Sequence, residues 1–302
     1  MYLNREKLGL PPVFWYSNRT NEVNGIPDLS DQRSYKTWRY IDSDRASGSI
    51  NMAVDESLIT FFVPDASQPI LRTYGWNPPA LSLGRFQKAS EVLDLGNCKG
   101  DSVDIVRRIS GGGTIYHADE LTYSIVCTPA QIPFAVSVKD SFRVLTGFLI
   151  DFYRSLGLDA SYAVDTSAPD EPLGERAAFC FAGKESFDIL IDGRKIGGNA
   201  QRRTKNIIFQ HGSIPIINRA QHGLQYMQDR SPWYAENTVS LSDCGVSADI
   251  FTLKAMFLNA FRKHMDVEVV VECLSAEEQR ASHKLLESKY ATDRWNLQGE
   301  LG

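Results

Sequence analysis

The stretch Phe187-Asp188-Ile189-Leu190-Ile191-Asp192-Gly193-Arg194-Lys195-Ile196-Gly197-Gly198-Asn199-Ala200-Gln201 decides the fold class. Two apolar, strand-like runs flank Asp192-Gly193, a dipeptide suited to the positive φ angles of a two-residue hairpin turn. A hairpin makes the sheet antiparallel here. On its carboxyl side, Ile207 to Ile217 reads as a further strand, interrupted at His211-Gly212-Ser213. On its amino side, Phe179 to Phe181 reads as a short strand.

Further out, Val138, Phe142, Leu145, Leu149, Phe152 and Leu156 recur at helical spacing, and Gly157 stops the run. Ile115 to His117, Leu121 to Cys127 and Asp104 to Ile109 read as strands. Ile70 to Trp76 and Ala80 to Phe86 flank an enforced turn at Asn77-Pro78-Pro79. Trp38 to Asp42 reads as a strand. After Ser47-Gly48-Ser49, a helix start, residues 50–62 read as a helix with Ile50, Val54, Leu58 and Phe61 on its apolar stripe. This order predicts an α+β fold, with mixed and antiparallel sheets flanked by helices, and excludes a doubly wound parallel sheet. Helices at 252–265 and 275–289 around the strand Val267 to Val271 form a small carboxyl-terminal helix–strand–helix appendage. The expected organisation is a loose extension over 1–36, a catalytic domain over 37–230 and an accessory region over 231–302.

Composition narrows the function. With 43% hydrophobic residues the chain can bury a core, and a formal net charge of −5 argues against a nucleic-acid binder. No secretory signal is evident, and no apolar run approaches the roughly 18 residues of a membrane span. The five cysteines, Cys98, Cys127, Cys180, Cys244 and Cys273, are widely spaced and contain no C-x-x-C pair. The expectation is a cytoplasmic protein with free thiols, and neither a nucleic acid nor a membrane as partner.

Four features could carry chemistry. In Arg107-Arg108-Ile109-Ser110-Gly111-Gly112-Gly113-Thr114 the glycines either form a tight turn or bring backbone N–H groups against a carbonyl or phosphate. The run lacks the Gly-Lys-Ser/Thr ending of a phosphate loop. His117 is either a satisfied strand histidine or a donor to substrate. Cys180, between Phe179 and Phe181, is either core or a nucleophile; as a nucleophile it needs a cation beside it to hold the thiolate. Lys195 is either a solvated strand lysine or that cation.

Together these segments resemble the biotin/lipoate protein ligase family over about residues 38–295. The resemblance is carried by Trp38 to Asp42 and Asn51 to Glu56, the hairpin-like Leu71 to Trp76 and Leu81 to Gln87, Arg107 to Thr114 with His117, Lys195 to Gln201, and His211-Gly212-Ser213. It implies a biotinyl/lipoyl protein ligase-like catalytic domain. Within the family the chain is most similar to the cysteine-dependent octanoyltransferases that resemble ligases. Three features carry this: Phe179-Cys180-Phe181 lying 15 residues before Lys195, Glu120 to Ser124, and Lys289 to Asn296. That branch often has Gly-Gly-Arg in its glycine loop, and Gly111-Gly112-Gly113 is the ligase-like form.

The resemblance implies Cys180 and Lys195 as catalytic residues. It implies substrate binding by Arg72, Arg107, Ser110, Gly111, Gly112, Gly113, His117, Gly197, Gly198, Asn199, Ala200, His211 and Gly212. The implied donor is octanoyl-acyl carrier protein. The implied acceptors are lipoyl domains of 2-oxoacid dehydrogenases or the glycine-cleavage H protein, and no cofactor or metal is called for. Tyr40, Trp76 and Leu83 are candidates for an acyl slot, and Arg202, Arg203 and Lys205 for a patch facing an acidic carrier. ATP-dependent ligation of lipoate or octanoate, octanoyl transfer between two lipoyl proteins, and a non-catalytic carrier-binding role are the competing readings.

Overall fold

The computed structural model describes residues 36–132, 137–166, 185–204 and 206–300. The extension over residues 1–35, the strand expected at Phe179 to Phe181 with Cys180, and Lys205 lie outside the described residues.

In chain order, the described strands are β1 (Thr37–Ala46), β2 (Ile70–Trp76), β3 (Ala80–Leu83), β4 (Asp104–Arg107), β5 (Ile115–His117), β6 (Glu120–Cys127), β7 (Ala160–Tyr162), β8 (Ile189–Ile191), β9 (Arg194–Ile196), β10 (Gly198–Arg203), β11 (Ile208–Pro215), β12 (Thr238–Val239) and β13 (Glu268–Val271). They form a six-stranded sheet in the order β10-β11-β6-β2-β1-β13, a four-stranded sheet β12-β9-β8-β7 and a three-stranded sheet β4-β3-β5. The large sheet is mixed: β1 runs parallel to β2 and β13, while β2, β6, β11 and β10 are antiparallel neighbours. The α+β expectation holds.

Both faces of the large sheet are covered, so β2 and β6 are buried along their whole length. One face carries Leu71, Tyr123 and Ile125, packed in one core with the helices Val138–Ser155 and Ile250–Met265. Phe148 sits at its centre, edge-on to Tyr123, Phe257 and Phe261. Truncating such a ring costs about 3–5 kcal/mol. The other face carries Tyr74, Trp76, Val126 and Phe209 against the Gly48–Phe61 helix, Tyr290 and Trp295.

The carboxyl-terminal helix–strand–helix is present. Its strand β13 extends the large sheet beside β1, and Phe257 and Phe261 of its first helix belong to the same core as Phe148. Ser47 caps the Gly48–Phe61 helix as expected, but the buried face is rotated from the expected stripe. Ile50 and Phe61 are 42% and 43% exposed, while Asn51 and Asp55 are buried. Those polar residues face inward because Arg72 lies beneath them.

Three connections depart from the sequence reading. β2 and β3, expected as a hairpin around Asn77-Pro78-Pro79, do not pair; they belong to different sheets. β11 runs unbroken through His211-Gly212-Ser213. The strand expected from Lys195 to Gln201 is divided at Gly197, whose φ of +70° turns the chain from the four-stranded sheet into the large one. A Cβ at Gly197 would sit 2.0 Å from the Ser213 carbonyl oxygen, so only glycine fits. The Asp192-Gly193 hairpin is as expected, with φ of +51° and +73°.

Candidate active site

Register places a band of polar side chains on the face of the large sheet that carries Tyr74. Ala200 pairs with His211, His211 with Ser124, and Ser124 with Arg72. The glycine loop lies over this band. Ser110 Oγ lies 2.6 Å from His211 Nε2, and both are buried. Burial first, then the charge of Arg108 and the neighbouring His117, holds the His211 pKa well below the usual histidine value. His211 is therefore neutral at pH 7.

His117 is locked on three sides. Its ring stacks on Trp76 at 3.8 Å, Nδ1 lies 2.8 Å from Glu120 Oε1, and Nε2 lies 2.7 Å from Ser82 Oγ. Glu120 also accepts from Thr122 (2.5 Å) and Ser213 (3.0 Å). The Ser82–His117–Glu120 order resembles a nucleophilic triad, but Ser82 is fully buried. Arg108 joins this network to the glycine loop. It donates to Ser82 Oγ (2.8 Å) and to the carbonyls of Ser82, Gly111 and Gly113 (2.6, 3.0 and 2.9 Å). With those carbonyls turned inward, the N–H groups of Gly111, Gly112 and Gly113 make no hydrogen bond among the described residues. Beneath them, a Cβ on Gly84 would fall 1.9 Å from the Gly112 oxygen.

Two expected substrate-binding arginines are turned into the protein. Arg72 pairs with Asp55 at 2.8 Å, donates to Asn51 and Ser43, and lies 4.1 Å from the Tyr74 ring centroid. Asp55 also accepts from Tyr74 and Ser124. Arg107 donates to the carbonyls of Gly84, Gln87, Trp295 and Leu297, binding the carboxyl-terminal segment to the turn after β3.

Lys195 sits at the edge formed by the four-stranded sheet. It is buried, and its Nζ lies 2.7 Å from Asp188 Oδ2 across the hairpin. Glu185 N donates to the same carboxylate oxygen. The described chain resumes at residue 185, five residues after Cys180, a reach of at most about 18 Å. Asn199 is on the opposite face from His211. It pairs with Gly212 and accepts from Tyr123 Oη at 2.8 Å. Gly212 has no room for a Cβ, which would meet Asn199 Oδ1 at 2.1 Å. Gly198 is buried at the start of β10.

Ser110, His117 and His211 are thus brought together with the glycine loop, while Arg72 and Arg107 brace the surroundings and Lys195 stands at a separate edge. A small cleft between them is lined by Glu120, Pro215, Ala118, Tyr116, Val239 and Thr238, the last being the register partner of Lys195. Tyr40, Trp76 and Leu83 share no slot, because each belongs to a different core. Arg202 and Arg203, as strand neighbours, point to opposite faces: Arg202 donates to Ile109 O and Arg203 to Ser141 Oγ.

Sequence reasoning missed Ser82, Arg108, Glu120 and Asp188 as network members. The available signal was a carboxylate within apolar strand text at Glu120 and Asp188. Among the described cysteines, burial pushes the Cys98 thiol up to about 11 and raises those of Cys127 and Cys244. Cys273 is exposed. No group of three metal-ligating side chains occurs among the described residues, nor any helix long and apolar enough to cross a membrane.

A family model described as the lipoyl protein ligase A/B catalytic domain matches residues 47–277. The chain is 32% identical over 273 residues to octanoyltransferase LipM of Geobacillus kaustophilus, covering 87% of this chain and 98% of that protein. It is 32% identical over 274 residues to octanoyltransferase LipM of Bacillus subtilis, covering 86% and 98%. Its structure is similar to that of a lipoate-protein ligase A bound with ATP, with a TM-score of 0.73 and 22% identity over 87% of this chain and 99% of that one. A bi-partite lipoate protein ligase from Thermoplasma acidophilum gives a TM-score of 0.72 at 21% identity, covering 88% and 98%. At such identities the structural likeness speaks to the fold alone.

Proposed function

The chain belongs to the lipoyl protein ligase A/B catalytic domain family, and from that membership we propose that it is an octanoyltransferase of lipoate biosynthesis. The donor is octanoyl-acyl carrier protein. The acceptor is the lysine of a lipoyl domain or of the glycine-cleavage H protein. The observation that carries the reading is the buried Lys195, held by Asp188 close in sequence to Cys180, in a chain 32% identical to octanoyltransferases over nearly its whole catalytic length.

In the first half-reaction the Cys180 thiolate attacks the thioester carbonyl. A bond forms from Sγ to the acyl carbon, the bond to the carrier sulfur breaks, and the Lys195 ammonium gives a proton to the departing thiolate. In the second, the neutral amine of the acceptor lysine attacks the Cys180 thioester. A C–N bond forms, the Cys180 thiolate leaves, and Lys195 takes back the amine proton. The first step exchanges thioester for thioester and the second yields an amide, so the sequence runs forward without ATP. Asp188 fixes Nζ, and burial of the acyl chain would add about 0.8 kcal/mol for each CH₂.

Intact mass spectrometry after incubation with octanoyl-acyl carrier protein, without ATP, tests this. One octanoyl increment is expected, absent in Cys180→Ala. Free octanoate with ATP is expected to leave the mass unchanged. An increment that survives Cys180→Ala, or one that requires ATP, would overturn the assignment.

A further inference from the structure

A cluster of cations stands beside the glycine loop, and the transfer steps above leave it unused. Lys289 Nζ lies 3.8 Å from the Trp295 ring centroid, and the Arg85 guanidinium lies 4.5 Å from the same ring. Arg202 and Arg85 both repel the Lys289 charge, adding to the burial that lowers its pKa. Arg85 in turn repels Arg107. Lys289 is neutralised by Glu56, at 2.6 Å. Arg85 and Arg202 have no carboxylate partner among the described residues; their side chains are held by carbonyls, Gly299 O at 2.9 Å and Ile109 O at 3.2 Å.

The Arg202 guanidinium is thereby fixed at the root of the glycine loop, while that of Arg85 rests between Gly299 O and the Trp295 ring. Arg202 binds the carbonyl of Ile109, and the Arg85 backbone N–H binds the carbonyl of Ser110, the next residue. The three N–H groups of Gly111–Gly113 have no partner among the described residues, as noted above. Arg202 is exposed and Arg85 half-buried, so both can be reached from solvent. Two guanidiniums that both act on Lys289, without carboxylates of their own among the described residues, and one of them bonded at the root of a loop with free N–H groups, are the chemistry of an anion site.

We propose that Arg85 and Arg202, with the N–H groups of Gly111–Gly113, bind the phosphate ester of the donor's prosthetic arm. The inference rests on the carrier-protein donor of the preceding section. Arg202 is seven residues from Lys195 along β9 and β10, a separation of at most about 23 Å in extended chain. A long pantetheine arm lying along β10 would then have its thioester end at Lys195 and its phosphate end at Arg202. Trp295 acts as the platform, its ring face holding Arg85 and Lys289 in place.

The test compares octanoyl-pantetheine, octanoyl-4′-phosphopantetheine and octanoyl-acyl carrier protein as donors for the full chain. The wild type is expected to prefer the phosphorylated small donor in kcat/KM by about tenfold or more. In the double variant Arg85→Ala with Arg202→Ala that ratio collapses to within about twofold of unity, and the double lysine replacement restores most of it. High salt erodes the wild-type preference. A ratio near unity in the wild type, or one unchanged in the double alanine variant, overturns the phosphate site. Sensitivity confined to the carrier protein also overturns it, because the cations would then be reading the protein surface. Failure of all three donors counts against octanoyl transfer itself. Equilibrium dialysis with 4′-phosphopantetheine against pantetheine then decides the phosphate site separately, with equal retention of the two contradicting it.

Discussion

The floor under the glycine loop and the edge that carries Lys195 are built in opposite ways. The floor belongs to a six-stranded sheet covered on both faces. Its polar side chains Glu120 and Ser213 join Ser82 and His117 of the three-stranded sheet, and Arg108 after β4, in one connected set, with Ser110 and His211 beside it. The edge rests on strands of two and three residues, and its described ion pair is a single lysine with a single aspartate. The difference is one of rigidity. A floor with its rotamers fixed by several bonds is preorganised.

The largest expected effect is at the edge. Lys195→Gln keeps a donor for Asp188 but removes the transferable proton. Turnover should fall by about 10²–10⁴-fold, the usual worth of general acid–base catalysis, with an unchanged circular dichroism spectrum. Normal turnover in this variant would put the chemistry elsewhere. The floor should respond in stability instead. Asp55→Ala strands the buried Arg72 charge and leaves Tyr74 and Ser124 each without an acceptor, so urea unfolding should show a loss of about 3–5 kcal/mol. A loss below about 1 kcal/mol would show that water satisfies Arg72, and that the floor is looser than described.

The junction between the regions comes next. Gly197→Ala forces a side chain into the left-handed region and against Ser213 O. A stability loss of about 1–3 kcal/mol is expected from the backbone alone, together with a lower kcat as β9 and β10 realign. The smallest effect is a pH dependence. His211 is held neutral in the fold, so the unfolded chain binds its proton more readily. Its contribution is complete above the ordinary histidine value of about 6.5 and is lost as the pH falls below it, by at most about 1.4 kcal/mol per unit. Urea midpoints between pH 7.5 and 5.5 should fall more steeply in the wild type than in His211→Gln; parallel curves would mean that His211 takes up its proton equally in the folded and unfolded chain.

Much of the fold was legible because local rules and tertiary packing agree. The Ser47 cap, the apolar stripe from Leu145 to Phe152 and the Asp192-Gly193 turn each specify their element within a few residues. Sheet partnership was not legible. β2 and β3 look like a hairpin in sequence, but each finds its partners far along the chain, β2 in β1 and β6, β3 in β4 and β5. At the site, residue type was legible and direction was not. Arg72 and Arg107 are surrounded by strand text that says nothing of which carbonyls or carboxylates lie opposite. Both are used up by buried partners, Asp55 in one case and the carbonyls around Trp295 in the other. Glycine was read as freedom for a ligand, whereas Gly84, Gly197 and Gly212 are required by neighbouring protein atoms.

The central proposal is that Lys195 holds the Cys180 thiol as a thiolate. It is tested most directly by the rate of iodoacetamide alkylation at Cys180 as a function of pH, followed by peptide mass mapping so that the other four thiols do not interfere. The account predicts a midpoint at or below about 7 in the wild type, moving toward the free-cysteine value of about 8.5 in Lys195→Gln. A midpoint near 8.5 in both proteins would contradict it.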